Sequence, residues 1–451
     1  MQISVPHPFR GFLEEKIWNG WEATKAQAYT TSRSALDSIE YADDPPMTAT
    51  TPRAHGIDGT WVEPDWPPLT LDELSPILAR FPNDIAPTSI LTVSPRPFSA
   101  ASVIATRHGR VFVKRHSRLV RDREGLLEEH RFLAYLFANG AAVPRVLANQ
   151  DGETAIELGE WTYEVHQAPP GVDIYREALS WTPFLNPSHA RAAGVALAQL
   201  HLAAQDYSAP RRLNRPLVAG FTIFAADNPR AALSDYIAGR PALAAYPAVE
   251  QHAQQALALL DPFNQHLLPH LRALPPLWTH NDLHASNVLW TNDPTPTAAA
   301  IIDFGLADRT NAVHDLAQAI ERNIVDWLCL HPSSTPANLH VDLPALHALL
   351  EGYESIRPLA DAEAAALAPM TALCHADFAL SEADYFLGVL HSEPKALIAL
   401  NDYLVGHARW FYSEAGSALL AALRRWEWTR KGVSAKVHSV NQAFPRGLRP
   451  R

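Results

Sequence analysis

Apolar residues change their spacing along the chain, and each change predicts a different element. Between residues 90 and 114 they come in short β-branched runs: Ile90-Leu91-Thr92-Val93, Ser102-Val103-Ile104-Ala105-Thr106 and Val111-Phe112-Val113-Lys114. These predict three strands, with His108-Gly109 as a tight hairpin turn between the second and third. Leu126, Leu127, His130, Leu133, Leu136 and Phe137 then recur at helical spacing, and Gly140 stops that helix. Two more strands are expected at 154–158 and 161–165, before Pro169-Pro170-Gly171 breaks the chain. Beyond Gly171 helical periodicity dominates, most clearly at 191–202, 249–260 and 343–353. One island interrupts it: at 276–308, short β-like runs (287–290 and 300–302) flank polar residues. A polar island with strand-like flanks inside a helical region is where chemistry tends to sit.

The first 88 residues follow neither pattern. Asp43-Asp44-Pro45-Pro46 and Pro64-Asp65-Trp66-Pro67-Pro68 interrupt any helix or central strand. Thr70, with Glu73 three residues on, opens a short helix that Pro76 should kink or end. The expected organisation is an extension over 1–88, a small α+β lobe over 89–168 and a larger, mainly helical lobe over 169–451. The chain is 47% hydrophobic and 19% charged, enough apolar content for two packed cores. A net charge of −11 argues against broad nucleic-acid or anionic-membrane binding. Two cysteines, Cys329 and Cys374, cannot build a disulfide framework or a zinc ribbon. The N-terminus lacks a basic start followed by an apolar run, and no stretch is apolar for long enough to span a bilayer. A cytoplasmic protein is therefore expected. The Arg- and Lys-rich tail from 424 to 451 reads as a solvated or subunit-contacting segment.

The candidate chemistry lies in the island. His280-Asn281-Asp282-Leu283-His284-Ala285-Ser286-Asn287 is followed sixteen residues later by Asp303-Phe304-Gly305. Phosphoryl transfer to an alcohol needs a carboxylate to accept the hydroxyl proton, and oxygen ligands for a metal bridging the nucleotide phosphates. An Asp followed five residues later by an Asn on one loop can supply the first carboxylate and one ligand. A second Asp on the next turn completes the set.

On these motifs the chain resembles the aminoglycoside phosphotransferase and choline kinase-like family, a branch of the protein-kinase-like fold. Ile301-Ile302-Asp303-Phe304-Gly305, His314-Asp315-Leu316-Ala317 and Leu200-His201 extend the match over roughly residues 90–330. The resemblance implies an α+β, two-lobed fold and an ATP- and Mg2+-dependent transfer to a hydroxyl of a small molecule. It implies Asp282 as catalytic base, His280 bracing its loop, and Asn287 and Asp303 as metal ligands. Lys114, the only lysine between Lys25 and Lys395, would hold the phosphates with Glu129 as its partner, Glu128 and Glu124 being the alternatives. The loop before the second strand lacks the glycines of protein kinases, so Ser99 and backbone amides are expected to meet the phosphates there. Main-chain atoms near His166 and Ala168 are expected to meet adenine. Asp315 is expected to buttress the catalytic loop.

The acceptor stays open among aminoglycosides, amino alcohols and hydroxy-amino acids. Glu321, Asp326, Asp377, Glu382 and Asp384 could receive an amine, and Trp327, Phe378, Tyr385, Trp410 and Tyr412 could line an apolar or cation-binding pocket. Zinc on His280 and His284 lacks the Glu of His-Glu-x-x-His, and an iron triad would normally need an all-β barrel. A non-catalytic nucleotide-binding protein is the alternative of a different class.

Overall fold

The computed structural model describes residues 64–82, 85–213, 215–335 and 337–426. The Asp43–Pro46 cluster and the basic tail beyond 426 lie outside the described residues. The small lobe is a five-stranded antiparallel sheet in the order β1-β2-β3-β5-β4. Its strands are β1 (Pro87–Val93), β2 (Ala100–Thr106), β3 (Gly109–Ser117), β4 (Ala155–Leu158) and β5 (Trp161–Gln167). Thr106 pairs with Gly109, so a two-residue turn joins β2 to β3, and Gly109 takes a φ of 135° that favours glycine.

Strand periodicity gives this sheet two unlike faces. Val111, Val113, Tyr163 and Val165 form one, an apolar face. It is covered by α1 (Leu71–Leu78), capped by Thr70, whose Oγ1 accepts the Glu73 N–H. Leu69, Leu74, Ile77, Leu78 and Phe81 are buried against the sheet. The expectation that everything before residue 89 lies outside the main fold therefore fails for 69–81. Pro76 does not end the helix either; it lies inside it, where a helix this short loses one backbone hydrogen bond and gains an apolar contact face. The opposite sheet face carries Lys114, His116, Glu164 and His166, and α2 (Arg123–Ala138) brings buried Glu129 and His130 to the same lobe. A charged pleat under a helix marks this side as the working one.

The large lobe follows: α3 (Pro187–Ala204), α4 (Pro229–Ala238), α5 (Pro241–Ala245), α6 (Pro247–Leu271), α7 (Ala312–Ile324), α8 (Leu343–Glu354), α9 (Asp361–Leu373), α10 (Ala376–Gly388) and α11 (Glu393–Ile398). Two small antiparallel pairs hold the island: β6 (Pro276–Thr279) with β9 (Asp308–Asn311), and β7 (Val288–Trp290) with β8 (Ala298–Ile301). Helices α3 and α8 cross on facing glycines. A methyl at Gly194 would strike the Leu349 carbonyl, and one at Gly352 the Arg191 carbonyl. That approach sets His201 of α3 against Tyr353 of α8, with Nδ1 at 2.8 Å from the hydroxyl. No helix among the described residues is long and apolar enough to cross a membrane.

Two expectations follow from this packing. Leu74→Ala, a fully buried site on α1, should cost about 2–5 kcal/mol in urea unfolding; a loss near zero would mean that α1 is not part of the core. Gly352→Ala should destabilise by several times the effect of an exposed helix substitution, because backbone rather than a side chain blocks the new methyl.

Candidate active site

The loop from His280 to Asn287 is held from below by one carboxylate. Asp315, fully buried near the start of α7, accepts the backbone N–H of His280 (2.9 Å) through Oδ2 and that of Asn281 (2.7 Å) through Oδ1. His201 Nε2 lies 3.0 Å from Oδ2. Burial pushes the Asp315 carboxyl up, but His201 and these donors outweigh it and hold the group below its ordinary range. The paired donors fix Asn281 at a φ of 60°, a left-handed geometry that a non-glycine residue adopts at a cost. The Asn281 side chain is tied down as well: its Oδ1 accepts from Thr279 and Thr310.

His280 and Asn287 then fix the next residue. His280 is buried and burial lowers its pKa, keeping the ring neutral. Its Nε2 donates to the Ile302 carbonyl (2.9 Å) and its Nδ1 accepts the Asp282 N–H (3.1 Å). His280 therefore positions Asp282 from behind the loop and does not itself line the cleft. Asn287 Nδ2 donates to the Asp282 carbonyl (2.9 Å) and to Asp282 Oδ2 (3.2 Å), leaving its Oδ1 as the ligand-type atom. From α7 the guanidinium of buried Arg322 contacts Asp282 Oδ1. Arg322 lies near the rings of Trp181 (5.5 Å) and Phe378 (5.0 Å).

Lys114 Nζ reaches across from the small lobe to Asp303 Oδ1 at 2.8 Å. Burial would lower the lysine's pKa, but Asp303 and Glu164 outweigh it and raise it. Burial would raise Asp303, but Lys114 outweighs it and holds the carboxyl well below its ordinary value. The two shifts agree on a charged pair. Asp303 has φ 63° and ψ 76°, a strained conformation for a non-glycine residue.

These side chains meet in one cleft between the lobes. Lys114, Asp282, Asn287 and Asp303 line it together with Ser99. One expectation fails. Glu129 does not pair with Lys114: its Oε1 accepts from Arg121 (2.7 Å) and Arg212 (2.7 Å). Those arginines also donate to the Gly305 carbonyl, so Glu129 serves an interlobe clamp. His166 turns its side chain into Glu164, at 2.7 Å. The N–H of Ala168 donates to Arg110 and that of Gln167 to Arg145, and neither His166 nor Ala168 lines the cleft.

The acidic residues expected to receive the acceptor are also occupied elsewhere. Asp326 accepts from Leu330 and His331, Asp377 from Thr222, and Asp384 lies 3.7 Å from Arg240. Glu321 lies 2.6 Å from His407, whose ring stacks on Trp327. Of the expected aromatics, Phe378 lines the cleft, beside Trp181, Ser180 and Leu217, which sequence reading missed. Arg96, from the glycine-free loop, also faces it; its one recorded side-chain bond is Nη1 to the Ala178 carbonyl, 3.2 Å.

Among the described residues one metal-type cluster forms, by His130, Glu164 and His166. Its ligand atoms are spent on one another, and buried His166 Nδ1 has no partner. A metal-bound imidazole normally has its second nitrogen satisfied, so the cluster is a hydrogen-bond network.

The sequence profile of the phosphotransferase enzyme family matches residues 98–359. The chain belongs to that family. The homoserine kinase of Methylobacterium radiotolerans is 29% identical over 267 residues, covering 58% of this chain and 70% of its own length. That of Xanthobacter autotrophicus is 30% identical over 236 residues, covering 52% and 61%; the chain thus spans under two thirds of this second relative. In structure, an amicoumacin kinase solved with AMP-PNP and Ca2+ matches with a TM-score of 0.51 at 14% identity, over 74% of this chain and 92% of its own. A microcompartment-associated aminopropanol kinase matches at 0.50 and 17%, over 77% and 99%. At these identities the likeness is one of fold: the α+β, two-lobed architecture of the phosphotransferase family.

The occupied carboxylates allow a direct check. Burial raises the Glu321 pKa from 4.5 to about 7. Its contribution to stability is then complete below about 4.5 and lost as the pH rises through about 7. Glu321→Gln lacks this loss, so its melting temperature should gain on wild type between pH 5 and 8, by the equivalent of up to about 3 kcal/mol. A gap that stays constant with pH would show that Glu321 is ionised throughout.

Proposed function

We propose that the protein moves the γ-phosphoryl group of ATP to a hydroxyl of a small acceptor. The observation that carries this reading is the meeting of Lys114, Asp282, Asn287 and Asp303 in one interlobe cleft. The donor set, a carboxylate and an amide oxygen, suits a hard cation such as Mg2+, and the strained backbone of Asp303 is typical of a functional position. When bound, the metal neutralises phosphate charge. Lys114 and Arg96 supply the protein's own cations to the phosphates. Asp282, fixed by Arg322, Asn287 and His280, points one carboxylate oxygen at the acceptor and takes its proton as the new O–P bond forms and the bond to the β-phosphate oxygen breaks.

The acceptor reading is a small hydroxy-amino acid. Relatives named homoserine kinase support it. So does the cleft, whose volume must hold phosphates and acceptor together, and whose carboxylates are Asp282 and Asp303 against Lys114, Arg96 and Arg121. A polyamine finds few acidic partners there. The diversion of Glu129 into the arginine clamp favours the alternative, a nucleotide-binding protein without turnover.

The test is ADP release with ATP and Mg2+ over a panel of homoserine, amino alcohols, aminoglycosides and sugars. Turnover is expected with a hydroxy-amino acid, falling about 10²–10⁴-fold in Asp282→Asn while nucleotide affinity stays within a few-fold. Near-normal turnover in that variant would remove Asp282 as the base. Nucleotide binding without turnover on any acceptor would favour the non-catalytic alternative.

A further inference from the structure

The lysine that faces the phosphates needs a fixed negative partner, because its present one has a second task. Lys114 is paired with Asp303, and Asp303 is the carboxylate assigned above to the metal. If Asp303 turns to a cation, Lys114 is left without that anchor. Glu129, the partner that the family resemblance implies, is unsuited to replace it. Its carboxylate is already engaged by two guanidinium groups, those of Arg121 and Arg212.

Glu164 differs in every one of these respects. It stands directly opposite Lys114 in the β3–β5 ladder, so the two side chains leave the same sheet face from Cα atoms about 5.5 Å apart or less. It is buried. Three imidazoles fix both of its oxygens: His116 Nε2 at 3.0 Å from Oε1, and His130 Nε2 at 2.9 Å and His166 Nε2 at 2.7 Å from Oε2. A neutral imidazole N–H orients a carboxylate without bringing the permanent charge of a guanidinium. His116 is kept neutral by its burial. After Asp303, Glu164 exerts the largest attraction on Lys114, ahead of Glu129.

We propose that Glu164, held by His116, His130 and His166, is the positioning residue of Lys114, in the place that family resemblance gives to Glu129. The inference rests on the phosphotransferase reading, since it concerns how the phosphate-facing lysine is aimed. In this arrangement the work expected of one acid is split between two. Glu129 joins the lobes through Arg121 and Arg212, and Glu164 keeps Lys114 extended along the sheet when Asp303 is engaged elsewhere. The division explains why β5 places a glutamate and a histidine two residues apart on an inner face, where apolar residues would otherwise pack.

The experiment is a double-mutant cycle on nucleotide affinity, measured by calorimetry with Mg2+ and the non-hydrolysable analogue AMP-PNP. Wild type, Glu164→Gln, Lys114→Met and the double variant are compared. Glu164→Gln is expected to weaken binding about tenfold in the wild-type background and to add almost nothing once Lys114 is gone, since coupled residues are non-additive. Glu164→Asp keeps the charge, should fall between wild type and Glu164→Gln, and serves in the cycle if the Gln variant fails to fold. Equal weakening in both backgrounds would make Glu164 a merely structural residue and overturn the proposal, as would no weakening in either. Those two outcomes leave the phosphotransferase reading standing. A wild-type protein that binds no Mg-AMP-PNP overturns that reading, and the proposal with it.

Discussion

The site depends on one buried carboxylate. Asp315 carries no chemistry of its own, but its two oxygens take the N–H groups of His280 and Asn281, and the loop that carries Asp282 and Asn287 is aimed through that grip. A buried anion is stable only when its lone pairs are filled, so Asp315 in turn fixes His201, and His201 fixes Tyr353. The glycine crossing of α3 and α8 thus belongs to the same construction: it brings two helices close enough for a helix-borne histidine to reach beneath a loop. From Asp315 the order passes upward through the neutral ring of His280 to the backbone of Asp282, and through Asn287 to its carboxylate.

A second constraint ties the lobes. Arg121 and Arg212 come from either side of the interlobe boundary and share Glu129, and both reach the Gly305 carbonyl. They also donate to main-chain oxygens of Val120, Pro216, Leu217, Ala307 and Gly125, and Arg212 Nε to the Glu128 carboxylate. The turn bearing Asp303 is therefore held at its Gly305 carbonyl. Fixing it there leaves the Asp303 carboxylate as the movable part, poised between a lysine and a cation. The account of nucleotide binding rests on that freedom.

The local parts were legible in the sequence. Strand alternation, the hairpin beside Gly109 (its turn residues are Arg107 and His108, one position earlier than expected) and the helix from Leu126 to Phe137 required only neighbours in the chain, and so did the Asp282-to-Asn287 spacing. What the sequence hid was partnership at long range. Nothing local distinguishes Arg121 from any surface arginine or says that Arg212, 91 residues later, will meet it over Glu129. The acidic residues of the C-terminal helices looked available because a helix face is usually solvated; in the fold they are buried. The apolar spacing of Leu74, Ile77 and Leu78 was a readable signal that the segment before residue 89 packs on the sheet, and Pro76 masked it. A glutamate and histidines on the inner pleat of two adjacent strands were a readable signal too, since β-alternation puts His116, Glu164 and His166 on the face of Lys114.

The central claim is that phosphate leaves ATP for a carbon-bound hydroxyl and not for water. The most direct measurement is 31P NMR of wild-type protein turning over ATP with Mg2+ and homoserine. The account requires a phosphomonoester resonance that grows in step with ADP and splits through coupling to the acceptor's carbon-bound protons. Growth of inorganic phosphate alone, at the same rate with and without each acceptor, would contradict it.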